Sequence, residues 1–201
     1  MKKSIVIIAL AFSIFSCNKP AEGVKEAKTA YIDTSKLLEE YTAAKDVQDK
    51  YKTKSEEMGR ELEAEVAKFK ADAASFQKNA QANGQAWAQQ NGQALQRREQ
   101  QLQYAQQAMV QQLQQEMGVE MDTLVSDVKK YIKTYGKDKG YDYIYGTGES
   151  ATVLYAKDNY DITKEVIKLL NDKYTAPAKT DDKAEIKADA KKEIQELEKK
   201  K

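Results

Sequence analysis

Between Asp33 and Tyr141 the chain runs for about a hundred residues without a proline, in sequence rich in Ala, Gln, Glu and Lys. Both prolines, Pro20 and Pro177, lie outside this stretch. Nothing within it therefore lacks the backbone N–H whose loss breaks a helix interior. Short strand-like segments flank it on either side. So much helix-forming sequence with so few large apolar residues cannot fill a compact core. Two short strand regions that meet in space, joined by a long helical excursion, describe a small body carrying a long arm.

The apolar spacing gives the arm its geometry. Leu37, Tyr41, Ala44, Val47 and Tyr51, then Met58, Leu62, Val66, Phe69, Ala73, Phe76 and Ala80, recur at helical steps, with an interruption at Lys54 or Ser55. A second seam runs from Leu95 through Leu102, Ala105, Met109, Leu113, Met117 and Met121 to Tyr135. Its repeated steps of four predict weak supercoiling. Asn83-Gly84 and Asn91-Gly92 stand between the seams and are the strongest turn signals in the stretch. The spacing predicts a hairpin over 35–138 with its tip near 83–92, roughly 70 Å long, whereas one straight helix would hold the strand regions roughly 150 Å apart. Small and polar residues thin the seam towards the tip, so pairing there should be weak. Trp87 reads equally well as a contact for a partner or as a cover over the hairpin turn.

The body comprises residues 29–34 and 139–175. Ala30 to Asp33 reads as one strand, and Tyr141 to Tyr145 and Ala151 to Tyr155 as two more, joined as a hairpin through Gly146 to Ser150. Strand alternation puts Tyr141, Tyr143 and Tyr145 on one face and Ile144 on the other. Asp161 can cap a last helix that turns Ile162, Val166, Ile167, Leu169 and Leu170 to the core, closed by Pro177. Three strands and one short helix bury too little to stand alone, and their edges are open. Self-association is expected, with Tyr31, Ile32, Tyr143, Ile144, Val153, Leu154, Ile162 and Val166 forming the core and the contacts between copies. Residues 176–201 form a charged tail in which Ile186, Ile194 and Leu197 are sparse apolar positions. It reads as a frayed, solvated helix.

Residues 1–16 have the form of a signal peptide: a basic start at Lys2 and Lys3, then an apolar run from Ile5 to Phe15. At roughly 11 residues that run is too short for a bilayer core, which needs about 20. It ends at Ile14-Phe15-Ser16-Cys17, similar to the lipobox of bacterial lipoproteins, so Cys17 is the expected site of acylation, with 17–28 as lipidated cysteine and polar tether. Cys17 is the single cysteine, so no disulfide forms within one chain. The whole sequence carries 33 basic and 32 acidic residues, and removal of Lys2 and Lys3 leaves 31 against 32. That balance argues against nucleic acid as a partner. With no histidine anywhere, the usual zinc sites and His-dependent nucleophilic arrangements are excluded. Glu56-Glu57 reads as a solvated helix face, and Gly146 with Gly148 does not match a phosphate loop. No catalytic residue, cofactor or metal is expected.

The order of a strand with AYIDTSKLLEEY, a long Ala- and Gln-rich helical hairpin, and then GYDYIYGTGESATVLYAKDNYDITKEVIKLL resembles the Skp/OmpH family of periplasmic chaperones, here in a lipoprotein form. The most specific part is Asp161-Ile162-Thr163-Lys164-Glu165-Val166 after the tyrosine-rich strands. The resemblance implies a mainly α fold with a small β body, the hairpin inserted between strands of a sheet that trimerises. It also implies an ATP-independent holdase for unfolded outer-membrane proteins in the cell envelope, anchored by lipid to the inner or outer membrane. Phe69, Phe76, Trp87 and Leu95 are the candidate client contacts on the arm. The alternative is a lipid-anchored coiled-coil spacer or adaptor, which would have little need of a trimerising body.

Overall fold

A computed structural model describes residues 26–148, 153–176 and 182–199. The leader, Cys17 and the tether up to residue 25, the loop residues 149–152 and Pro177 lie outside the described residues. In chain order the elements are β1 (Thr29–Asp33), α1 (Thr34–Glu40), α2 (Thr42–Lys139), β2 (Tyr143–Thr147), α3 (Thr163–Lys173) and α4 (Asp182–Lys199).

α2 is folded back on itself. At Gly84 the backbone leaves the helix with φ 86° and ψ −179°, a conformation essentially confined to glycine. Lys50 meets Glu120 at 2.8 Å, Lys54 meets Glu116 at 2.6 Å, and Phe76 stacks on Trp87 at 5.8 Å. These pairs converge on Gly84, so an outgoing half (42–83) and a returning half (85–139) lie antiparallel, reaching roughly 60 Å from the body. Asn91-Gly92, the other turn signal, stays helical. The two glycines should therefore respond oppositely to alanine. Gly84→Ala meets nothing within 4 Å, yet its torsion is expected to cost about 1–3 kcal/mol. Gly92→Ala, whose added Cβ makes ordinary contact with the Phe76 ring at 3.5 Å, is expected to stabilise by about 0.5–1 kcal/mol. Thermal melts of the two variants measure both signs.

The returning half ends at Gly140, which is left-handed (φ 70°, ψ 33°). The Tyr141 N–H donates to the Gly136 carbonyl at 2.9 Å and the Gly140 N–H to the Lys137 carbonyl at 3.1 Å, the Schellman closure that glycine permits. The chain then enters β2, which pairs parallel with β1 from Thr29 opposite Tyr143 to Asp33 opposite Thr147. Parallel neighbours need a crossover, and here the whole arm is that crossover.

Ala30 and Ile32 point inward from β1 and meet Leu37, Tyr41, Ala44, Ile162, Val166, Ile167 and Leu170 in the body core. The Asp161-Ile162-Thr163 segment is the joint that fixes α3 to β1. The Ile162 N–H donates to the Tyr31 carbonyl at 3.0 Å, the Asp33 N–H to Thr163 Oγ1 at 2.9 Å, and the Thr163 N–H to Asp161 Oδ1 at 2.8 Å. The N-cap position of α3 is Ile162, with no side-chain cap bond; Asp161, expected as the cap, stands one residue earlier and accepts from the Thr163 N–H instead. Asp33 caps α1 by accepting from the Lys36 N–H at 3.0 Å.

Three local expectations are corrected. Val153, Leu154 and Tyr155 form no strand, so the sheet is two-stranded among the described residues. The far side of β1 is taken instead by an isolated bridge from Tyr31 to Asp161, which leaves these residues no edge of β1 to join. Tyr141 precedes β2 and stacks on Tyr135, so it does not share the strand face of Tyr143 and Tyr145. The tail, expected to be frayed and solvated, carries α4, whose Ala190, Ile194 and Leu197 are buried against the arm. These three lie on one side of the helix with Ile186, and the arm gives that side something to pack on.

Candidate functional site: the arm and its apolar face

The arm is firm near the body and loose towards its tip. Met58 and Leu62 from the outgoing half are buried with Leu102 and Ala105 from the returning half. No residue from 63 to 101 is buried. The large seam residues there, Val66, Phe69, Phe76 and Leu95, are half-buried and are separated by Ala and polar positions, which bury little apolar area and leave pairing weak.

The four candidate contact residues all lie on or beside this stretch, and all are half-buried. Phe76 and Trp87 come together across the hairpin, with ring planes 24° apart. The Asn91 side-chain amide donates to the Trp87 carbonyl at 2.9 Å. Trp87 therefore covers the turn by clasping its two sides, with part of its surface open. Phe69 packs against the Met58–Leu62 cluster. Leu95 is half-buried on the returning half, between the clasp and Leu102.

Charges along the arm's waist are used internally. Lys54 lies 2.6 Å from Glu116 and 2.8 Å from Glu193 of α4. Burial works to lower its pKa, but the two carboxylate hydrogen bonds outweigh burial and raise it. Burial likewise opposes ionisation of Glu116, yet the bonds from Lys54 and Gln112 hold that carboxyl below its usual range. The Tyr51 hydroxyl donates to Glu120 at 3.0 Å, and burial followed by this bond pushes the phenol well up. Arg98 pairs with both Glu65 and Glu198, the latter at 3.1 Å.

The body presents a second surface. Ile32, Ile162 and Val166 are buried, while Tyr31, Ile144 and Val153 are half-buried. Tyr143 is 59% exposed and stacks on Tyr145 at 5.9 Å along β2. Leu154 is 96% exposed, with Tyr155 beside it at 83%. Leu154 and Tyr155 lie beside Tyr31 and Thr147, so apolar and aromatic side chains gather next to a β2 edge that no described residue pairs, the kind of patch that marks an interaction site.

The part of the site that composition hid is the contribution of α4. Its signal was present in Ile186, Ala190, Ile194 and Leu197, spaced four, four and three apart, but alanine and a lysine-rich setting masked it. Among the described residues no group of His, Cys, Asp and Glu could hold a metal ion, and no helix is long and apolar enough to cross a membrane. What this arrangement offers a partner is surface: a long, loosely paired arm with partly open aromatic residues.

Residues 28–170 match the profile of the OmpH-like outer membrane protein family. Among solved structures, the fold is similar to a candidate OmpH-like outer membrane chaperone of Caulobacter crescentus, with a TM-score of 0.67 and 14% identity. That likeness covers 76% of this chain and 88% of the other. A search of curated proteins found no match.

Proposed function

This chain belongs to the OmpH-like outer membrane protein family, and from that premise we propose that it is an ATP-independent holdase of the cell envelope, binding unfolded outer-membrane proteins and preventing their aggregation. The observation that carries this reading is the unburied stretch of arm from 63 to 101, doubled back on a small body. Such an arm can bend around an unfolded chain and meet it through Phe69, Phe76, Trp87 and Leu95 without opening a core. Each contact is weak, but several arms acting together raise the effective concentration of the others. Exposed Tyr143, Tyr145, Leu154 and Tyr155 support a homotrimer in which copies cover one another's body edges. Holding of this kind needs neither an active site nor a cofactor. Cys17, acylated, would keep the assembly at a membrane surface, since each buried methylene adds about 0.8 kcal/mol.

Dilution of a urea-unfolded β-barrel outer-membrane protein into buffer with the mature chain tests the reading by light scattering. Scattering should stay near baseline, without ATP, at about one trimer per client. A client that aggregates as fast as it does alone rejects the holdase and leaves the envelope spacer. The anchor has its own test: palmitate labelling should be present in the wild type and lost in Cys17→Ala, and equal labelling of both removes it.

A further inference from the structure

A holdase needs apolar surface that an unfolded chain can reach, yet the best such face on this arm is already occupied. Met58, Leu62, Leu102 and Ala105, edged by Phe69 and Met109, form its middle, and α4 lies over them through Ala190, Ile194 and Leu197. α4 falls outside the 28–170 segment that matches the family, so it is an addition to the hairpin and body.

We propose that α4 is a displaceable internal occupant of the arm, competing with clients for the face around Met58, Leu62, Leu102 and Ala105. The inference rests on the holdase reading and adds a regulated state to it. Three observations carry it. First, α4 seats only three fully buried apolar side chains on the arm, and its remaining surface is mostly lysine, glutamate and aspartate. Alone in water a helix of this length is marginal, so what it gains from docking is all that orders it. Second, docking leaves Glu193 Oε2 and Glu198 Oε1 buried without a hydrogen-bond partner, a penalty that undocking relieves. Third, each cation that receives α4 has a second carboxylate on the arm: Lys54 holds Glu116 as well as Glu193, and Arg98 holds Glu65 as well as Glu198. When α4 leaves, neither cation is orphaned. The arm is thus electrostatically paired in both states, while its apolar middle is covered in one and open in the other.

A client that binds only the open state meets an affinity reduced by the fraction of arms that are open. Client segments with apolar residues at helical or extended spacing would replace Ile194 and Leu197, and client release would let α4 return. The cover would also keep the empty arms from joining one another through the same face.

The test uses the full mature chain and its Ile194→Asp variant. Ile194 is 1% exposed and belongs to the arm cluster rather than the body core, so the substitution should undock α4 and leave the body folded. Hydrogen exchange should rise across 182–199 and at Met58, Leu62 and Leu102. A fluorescent, urea-unfolded β-barrel client should bind the variant about ten-fold more tightly than the wild type. A synthetic peptide of residues 182–199 added in trans should bind the variant and reverse that gain, and Leu197→Asp should repeat the pattern. Unchanged exchange in both variants, or an undocked arm that binds client no more tightly than the wild type, overturns the proposal and leaves the holdase standing. A client held by neither form overturns the holdase and the competition with it, while exchange and peptide binding still read the docking itself.

Discussion

Val166→Asp is expected to unfold the body while much of the arm's helix survives. Val166 is 0% exposed in the cluster formed by β1, α1, α3 and the base of α2, which includes Ile32, Leu37 and Ile162. Among the described residues no lysine or arginine is buried, so an aspartate there would be charged without a partner or forced to stay protonated. An uncompensated buried charge costs about 3–5 kcal/mol, a large share of the roughly 5–15 kcal/mol that holds a domain together. The arm has a separate buried cluster around Met58, Leu62, Leu102 and Ala105, so helical circular dichroism should fall less than tyrosine near-ultraviolet signal. The proposed trimer should be lost with the body. Val119→Asp, at a position 62% exposed on the arm, serves as the matched control and should leave the melting temperature within about 2 °C, as surface changes usually do.

The second large effect is expected from shortening the arm in register. Glu65 pairs with Arg98 and Phe76 stacks on Trp87, so 63–76 and 87–100 face each other. Excising both segments joins 62 to 77 and 86 to 101, keeps the Gly84 turn, and shortens the arm by roughly 20 Å. It removes Phe69, Phe76, Trp87 and Leu95 together. The body and the proposed trimer should be unchanged in sedimentation. The concentration needed to suppress client aggregation should rise about ten-fold, because multivalent binding loses contacts from every arm at once. Unchanged protection would move the client site off the arm's outer half.

The broad architecture was legible because it follows from coarse signals. The absence of proline, two apolar seams and flanking strand-like segments require a hairpin on a body; Asp161-Ile162-Thr163 was visible only as a motif, and its bonds to β1 are set by the fold. Features set by tertiary partners were not legible. The two Asn-Gly pairs are alike in sequence, and only the pairing of the halves selects Gly84 as the turn. The break at Tyr41 has no glycine or proline to announce it. There the Thr42 N–H donates to Asn171 Oδ1 at 2.8 Å, and the Asn171 amide returns to the Glu40 carbonyl at 3.3 Å. A residue on α3 thus caps both helix ends at a joint 130 residues away in sequence or nearly so. Val153 to Tyr155 has strand composition but no edge of β1 left to pair with. The tail's apolar residues were visible, whereas the groove that receives them exists only once the hairpin has closed.

Whether the arm grips an unfolded chain is read most directly by photo-crosslinking, with a benzophenone side chain placed singly at Phe76, Leu95 or Val119 on the arm and at Lys168 on the outside of α3. In the presence of a urea-unfolded β-barrel client, the arm positions should crosslink to it and Lys168 should not. Crosslinks confined to Lys168, or none at any arm position while the client stays soluble, would contradict the grasping arm.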